Sequence, residues 1–533
     1  MNKTKKIIRD YCAWEPLELA GLPCRRGDSV SVRGDLNGEL SFDPESKRFS
    51  GVFEYPAKGY EKGYYEVVVK SGKRETVWQK VCVEYVFDAE YFSPRWENAD
   101  KVNKFFARHY PRYVEREIIY TYAAFKRNIQ LLRITDPSVP LKNKQIIMLT
   151  GRMHNPESGM TTLLFRFIKW LLESDSGKPY LKDYLFLIVP FMIPLTFEED
   201  PRTHDVNRCW IPEMTEPDLL AVREKILDRW LPEIWIELHS FNEVQHPEKP
   251  EERRKRSGDY VVAHPVGEQW FDRPGSRQVA AEAILAAEKA GHEHRNLEFF
   301  VEWAANLEKS SYANPGEKIV TEHDPVGIFS AKDYAVYADR CKYGRKGRDW
   351  PAMACEYGYY RCHAVNMCFE CKPLHVRSEG KVYHYSPDYP NSHLVKLKNI
   401  CGQGHKSFAG QPVDGFPCNL ILADTADNED SAILCAWGAD REALRRSRAS
   451  LWRTRLEIVV RKRKDENGNT VIAIRKFCSE AVEAALRLPF PGKRKLPEIR
   501  TGSRICRNAF RKDGFLFIPL KLQPGDNQII IKP

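Results

Sequence analysis

Two short apolar runs, each closely followed by a histidine, constrain this chain more than any other feature. The run 145–149 precedes His154 and Glu157, and the run 234–238 ends directly on His239. Runs of this length and composition are typical of buried strands. A histidine and a carboxylate three residues apart can ligate one ion, and a second histidine supplies a third ligand. The pattern therefore predicts a metal site where two buried strands end.

The predicted ligands His154, Glu157 and His239 fit one Zn²⁺ ion and fill three of its four coordination positions. An open fourth position distinguishes a catalytic zinc from a structural one, because a water bound there becomes acidic and a carbonyl can be polarised. The ligand set therefore predicts a hydrolase. The chain has 14 histidines and 73 acidic residues, so an isolated His-x-x-Glu arises easily by chance, and the surrounding motifs matter more.

Those motifs follow one another in a definite order between residues 95 and 375. They are the strand-like runs 118–122 and 126–135, the segments 151–158 and 205–208, His239, and the apolar run 366–370. The ordered series resembles the zinc metallocarboxypeptidases, and the proline at 156 is most similar to their cytosolic branch. The resemblance implies an α/β fold with a mixed central sheet flanked by helices. It also implies hydrolysis of the C-terminal residue of a peptide or peptide-like substrate.

The resemblance assigns roles to four residues outside the metal ligands. Glu370 is the general base that activates a zinc-bound water, and Glu356 is the alternative because it lies close in sequence. Asn207 and Arg208 bind the free C-terminal carboxylate of the substrate, since a guanidinium offers two parallel donors. Arg202 stabilises the developing oxyanion.

Three further positions are expected near the substrate or the metal. Tyr343 and Arg348 lie in a segment that resembles the family's mobile loop, where a tyrosine closes over the substrate. Arg348 stands where the family tunes the pocket for the terminal side chain, so it would favour an acidic terminal residue. Glu237 is two residues from His239 on the same strand face and would fix the tautomer of that imidazole, a position where the family usually has aspartate.

The pattern of apolar runs predicts three domains. Alternating runs punctuated by Gly and Pro indicate an N-terminal β-sandwich-like domain at 1–92. The catalytic domain follows at 93–375, with an insertion at about 240–340 that includes an alanine-rich helix at 278–291. Strand-like runs return at 376–533 and predict a second β-sandwich-like domain.

Composition excludes several other classes of protein. The chain has 83 basic and 73 acidic residues, a net charge of +10, and no nucleic-acid-binding motif accompanies this small excess. No run is long enough to span a membrane. We expect a cytoplasmic location because the 14 cysteines occur without a secretory signal.

Two alternatives to a carboxypeptidase remain open. A zinc amide deacylase acting on N-acyl amino acids would use a similar ligand set in a more compact site. A non-catalytic binding or scaffold protein on a degenerate peptidase core would display the two β domains without hydrolysis. The oligomeric state does not follow from these patterns.

Overall fold

The computed structural model describes most of the chain. The described residues are 6–11, 17–19, 22, 24–25, 27–34, 37–44, 48–51, 63–86, 96–154, 159–195, 199–202, 206–210, 214–240, 259–264, 279, 282–283, 285–287, 289–291, 328–329, 354–371, 375–378, 381–384, 391–403, 432–454, 457–492 and 495–532.

The N-terminal part of the chain forms one seven-stranded sheet. Its strands are β1 Lys6–Tyr11, β2 Leu17–Leu19, β3 Ser29–Gly34, β4 Gly38–Asp43, β5 Arg48–Gly51, β6 Gly63–Ser71 and β7 Arg74–Val86. They lie in the order β1-β7-β6-β3-β4-β5-β2. Alternate residues of β3 and β6, among them Val30, Val32 and Val67, form the core of this unit, as the period of two along a strand requires. The predicted β content is confirmed, and the sandwich arrangement stays a prediction.

The middle of the chain forms a mixed eight-stranded sheet. Its strands are β8 Val114–Tyr122, β9 Arg127–Ile134, β10 Gln145–Gly151, β11 Tyr184–Val189, β12 Ile234–Ser240, β13 Asp259–His264, β14 Ile328–Phe329 and β15 Val365–Cys371. Their order is β14-β13-β15-β12-β10-β11-β9-β8. The four inner strands β15, β12, β10 and β11 run parallel, while β13 and β9 run antiparallel beside them. The mixed sheet is the predicted fold class.

The helices cover the two faces of this central sheet. They are α1 Trp96–His109, α2 Gly159–Glu173, α3 Tyr180–Asp183, α4 Pro217–Val222, α5 Asp228–Trp230, α6 Ala354–Cys362, α7 Asn391–Gln403 and α8 Arg441–Thr454, with a π-helical segment Arg223–Leu227 between α4 and α5. Ile147 and Leu149 of β10 pack with α1, α2 and α7. Ile146 and Met148, on the opposite face of the same strand, pack with α4 and α6. Both faces are therefore buried, which explains why β10 is apolar at successive positions.

Helix α7 lies beyond the domain boundary predicted at residue 375 but packs on the central sheet. Its Leu397, Ile400 and Cys401 belong to the same cluster as α2, and the Tyr184 hydroxyl donates to the Cys401 carbonyl oxygen at 2.9 Å. The predicted boundaries remain a prediction, and this packing joins 391–403 to the unit built on the central sheet. The predicted helix at 278–291 is helical at the described positions up to 289 and ends in a turn at 290–291. Its Val279 packs into the same cluster.

The C-terminal part is built from antiparallel strands and α8. After a hairpin of β16 His375–Ser378 and β17 Lys381–His384 come β18 Ile433–Ala436, β19 Ile458–Lys464, β20 Thr470–Lys476, β21 Val482–Pro489, β22 Ile499–Thr501, β23 Arg504–Ile505, β24 Phe510–Lys512, β25 Phe515–Leu522 and β26 Gly525–Ile531. Strands β18 to β26 form two sheets, in the orders β18-β21-β25-β24 and β19-β20-β26-β22-β23. Both sheets contribute to one hydrophobic core. The strands lie in the part of the chain where they were predicted, and a β-sandwich-like domain at 376–533 stays a prediction.

A buried charge cluster joins α8 to the central sheet at the edge where β12 begins. The carboxylate of Glu233 lies 3.4, 3.9 and 3.8 Å from nitrogens of Arg441, Arg445 and Arg448. The same carboxylate accepts a hydrogen bond from the Ile146 amide at 3.2 Å. Burial by itself raises the pKa of Glu233, but the three guanidiniums and this amide outweigh it and hold the pKa below its usual value.

Within the part of the chain that the structure describes, no helix combines the length and apolarity needed to cross a membrane.

Candidate metal centre

The candidate site lies at the carboxyl edge of the parallel strands β10, β12 and β15. In the strand register, Gly151 at the end of β10 pairs with Leu238, and His239 pairs with Glu370 on β15. Neighbouring parallel strands end at the same edge of a sheet, which is where α/β proteins place their ligands. The fold therefore brings the loop carrying His154, the end of β12 and the position of Glu370 to one place.

The loop that carries His154 is fixed by contacts with the loop after β11. The Met192 amide donates to the Gly151 carbonyl oxygen at 3.0 Å, and the Ile193 amide donates to that of Arg152 at 3.1 Å. Arg152 has a left-handed backbone with φ of 54°, which is uncommon for a residue with a side chain. Its guanidinium lies 4.3 Å from the ring centroid of Phe191. These contacts stabilise the turn that presents the histidine.

The two predicted histidine ligands are brought together. The ring centroids of His154 and His239 are 4.9 Å apart, and the ring planes are inclined by 47°. Two imidazoles that bind one tetrahedral zinc at a Zn–N distance of about 2.0–2.1 Å have centroids about 5 Å apart. The observed spacing therefore fits a shared ion.

Glu237 contacts His239 from the same face of β12. Its Oε1 lies 2.9 Å from Nε2 of His239, and both side chains are almost fully buried. A carboxylate beside Nε2 favours the tautomer that carries the proton there, which places the lone pair on Nδ1. The predicted contact is present, and it leaves Nδ1 as the nitrogen that could face an ion.

The third predicted ligand, Glu157, lies outside the described residues. Among the described residues, no group of three His, Cys, Asp or Glu side chains is placed to hold a metal ion. The side chains of Glu370 and Glu356 also lie outside the described residues, but their backbones are described and belong to different elements. Glu370 is on β15 beside His239, whereas Glu356 is in α6. The strand position favours Glu370 as the base, and the assignment remains a prediction.

The predicted carboxylate-binding pair lies in a short 3-10 helix, Val206–Arg208. The side-chain oxygen of Asn207 accepts a hydrogen bond from the Ala354 amide at 3.0 Å. Ala354 is the first residue of α6, whose first amides have no partner within the helix. Asn207 therefore anchors the start of α6 to this 3-10 helix. The side chain of Arg208 lies outside the described residues, as do Tyr343 and Arg348.

Arg202 is held in a network of charged groups near the end of β8. Its Nε lies 2.7 Å from Asp200 Oδ1 and its Nη1 lies 2.7 Å from Asp218 Oδ2, and Asp218 also accepts a hydrogen bond from the Tyr122 hydroxyl. Burial opposes the charge on Arg202, but the two carboxylates raise its pKa above the usual value. The oxyanion role of Arg202 stays a prediction.

This network was not expected from the sequence. Tyr122 and Asp218 are 96 positions apart, so no local pattern links them. Burial and the nearby Asp218 raise the pKa of Tyr122 above its usual range, which keeps the hydroxyl protonated as a donor.

Fold and site together define an α/β protein with two histidines at the carboxyl edge of a mixed sheet. No protein-family model matches the chain, and no curated protein matches it. Solved structures do match, and they include a metallo-carboxypeptidase and a carboxypeptidase A.

Three of these matches span most of the matched structure at low identity. The metallo-carboxypeptidase of Burkholderia cenocepacia is 15% identical over 70% of this chain and 79% of its own, with a TM-score of 0.37. Bovine thrombin-activatable fibrinolysis inhibitor is 15% identical over 59% of this chain and 98% of its own, with a TM-score of 0.37. Carboxypeptidase A of Helicoverpa armigera is 12% identical over 61% of this chain and 76% of its own, also with a TM-score of 0.37. Likeness at this level does not carry a functional conclusion.

Proposed function

We propose that this chain is a zinc-dependent metallocarboxypeptidase that removes the C-terminal residue of peptide or peptide-like substrates in the cytoplasm. The observation that carries the proposal is the 4.9 Å spacing of the His154 and His239 rings, at a sheet edge where the position of Glu370 pairs with His239. Two imidazoles at metal-sharing distance beside a carboxylate position suit a hydrolytic metal site.

His154, Glu157 and His239 would hold the zinc ion. When bound, zinc lowers the pKa of a water and polarises a carbonyl. Glu370 takes the proton from the attacking water and delivers it to the nitrogen of the leaving amine, so that the scissile C–N bond breaks with a neutral leaving group. Glu237 holds the imidazole of His239 through the 2.9 Å contact at Nε2.

The substrate is selected by its free terminal carboxylate. Arg208 supplies two parallel donors to that carboxylate, and Asn207 sets the position of the 3-10 helix through its bond to Ala354. Arg202 supports the developing negative charge, Tyr343 closes over the bound peptide, and Arg348 favours an acidic terminal side chain.

The test is mass spectrometry of a mixed peptide library incubated with zinc-loaded protein. We expect stepwise loss of C-terminal residues, no loss from the same peptides bearing a C-terminal amide, and a Glu370→Gln variant at least about 100-fold slower. Absence of trimming by protein carrying one zinc per chain would refute the proposal. Hydrolysis of N-acyl amino acids without peptide trimming would assign the deacylase alternative instead.

Zinc content provides a second, independent measurement. A His239→Gln variant should lose bound zinc on dialysis, whereas His363→Gln should keep it. His363 is the matched control because it is also buried, and it stacks on Trp452 at a ring distance of 4.4 Å, in contact with α8. Equal zinc content in both variants would exclude His239 as a ligand.

A further inference from the structure

The strand β19 carries an unusual run of positive charge at the edge of a sheet. It is the terminal strand in the order β19-β20-β26-β22-β23, so among the described strands only β20 pairs with it. Its last four residues are Arg461, Lys462, Arg463 and Lys464, and all four are exposed. Among the described strands, β19 therefore combines a main-chain edge without a further partner strand with four adjacent exposed cations.

The cations are distributed over both faces of the strand. Lys462 and Lys464 share a face with Ile458, which is buried in the core, while Arg461 and Arg463 share the other. Within the described part of the chain, no carboxylate forms an ion pair with Arg461 or Arg463. The guanidiniums of Arg461 and Arg463 are therefore exposed on the face opposite Ile458.

The carboxylate that follows this strand is held mainly by the next turn. Asp465 follows β19 directly, and its oxygens accept hydrogen bonds from the amides of Asn467 and Asn469 at 2.9 and 2.8 Å. These bonds, the side-chain amide of Asn469 above all, and to a smaller extent the charge of Arg463 lower the pKa of Asp465. The carboxylate stabilises the turn into β20 and fixes the end of the basic strand.

An open edge strand with this charge has a specific complement. Its main chain can pair only with another extended peptide, because no other class of polymer supplies alternating N–H and C=O groups at strand spacing. Its four cations attract carboxylates on both faces of such a peptide. Charged residues on an edge also discourage pairing between copies of a protein, and this effect disfavours a second copy of the same basic strand as the partner.

We propose that β19 is a docking edge for an acidic, extended peptide segment, which adds to the five-stranded sheet as a further strand. The acidic side chains of that segment contact Arg461 and Arg463 on one face and Lys462 and Lys464 on the other. This surface belongs to the C-terminal sheets, and its binding is independent of the proposed hydrolysis.

The test is fluorescence anisotropy with a labelled peptide of alternating Glu and Val that carries a C-terminal amide. The amide removes the free carboxylate on which the proposed hydrolysis depends, so failure of one proposal leaves the other intact. We expect saturable binding that weakens with added salt. The double variant Arg461→Ser/Arg463→Ser should bind about tenfold more weakly, while Arg504→Ser/Arg507→Ser, which removes two exposed arginines of the same unit, should bind like the parent.

Two further probes separate strand addition from simple charge attraction. The same peptide with alternate N-methylated amides keeps its charge but loses main-chain donors, so it should bind far more weakly. Equal binding of this probe, tighter binding of single-stranded DNA of equal charge, or a Kd above about 1 mM for the parent peptide would each overturn the proposal.

Discussion

Replacement of Glu233 by glutamine tests how the C-terminal unit is held against the central sheet. Glutamine has nearly the same shape and keeps an oxygen that can accept from the Ile146 amide, which lies 3.2 Å from Glu233 Oε2. The change therefore removes one negative charge and little else. It leaves the buried guanidiniums of Arg445 and Arg448 and the partly buried one of Arg441 without the carboxylate at their centre.

The expected cost follows from the geometry of the cluster. Charges separated by 3.4 to 3.9 Å attract each other by roughly 4–5 kcal/mol per pair at an effective dielectric constant of about 20. Desolvation of the buried groups offsets much of this attraction, and loss of one partner from a buried ion pair typically costs about 3–5 kcal/mol. We expect the free energy of unfolding to fall by that amount in Glu233→Gln.

Urea denaturation followed by tryptophan fluorescence and circular dichroism measures the change. Glu224→Gln is the control, because the Glu224 side chain is 58% exposed and its loss should change the free energy by less than about 1 kcal/mol. A double-mutant cycle with Arg448→Met should give a coupling of about 1–3 kcal/mol. A loss below about 1 kcal/mol in Glu233→Gln, with no coupling to Arg448, would refute a stabilising role for the cluster.

The same cluster predicts a pH dependence. The pKa of Glu233 is lower in the folded protein than its ordinary value of 4.5, so the unfolded chain binds the proton more readily. The stability that this group contributes is complete above pH 4.5 and is lost as the pH falls through the folded pKa. The Gln variant should lose this part of the acid sensitivity, which urea titrations at several pH values measure.

Three other outcomes are expected. Gly358→Ala should destabilise the protein by about 1–3 kcal/mol in urea melts, because the new Cβ would lie 2.3 Å from Cε3 of Trp235. The control Gly402→Ala, in the exposed part of α7, should not destabilise it to this extent, and equal effects of the two variants would contradict the packing. The pKa of Tyr122 is raised above its ordinary value of 10.0, so the stability that its hydroxyl contributes is lost as the pH rises above that value. Tyr122→Phe should therefore remove one late-ionising tyrosine from an ultraviolet titration, and an unchanged titration would contradict the assignment. Arg348→Gln should slow cleavage of Glu-ending peptides about 10- to 100-fold more than that of Leu-ending peptides, and equal losses in kcat/KM would remove the acidic-pocket hypothesis.

Local pattern was sufficient to predict the strands that form the site. The apolar runs 145–149 and 234–238 became β10 Gln145–Gly151 and β12 Ile234–Ser240, because burial on both faces leaves a continuous apolar signature in the sequence itself. The side chain after such a run lies at the strand end, so His239 was predictable from position alone. The ordered motifs also predicted the mixed sheet.

Contacts between distant segments were decided only by the tertiary structure. The sequence places Glu233 just before β12 but contains no signal that Arg441, Arg445 and Arg448 would converge on it. The i, i+4 and i+7 spacing of these arginines predicts that they share one face of a helix, but it does not predict which residue that face contacts. For the same reason, the bond from Ala354 to Asn207 appears only once α6 has folded against the 3-10 helix. Periodicity determined which residues form strands and helices. Packing of the sheet and its helices determined which charges are buried together.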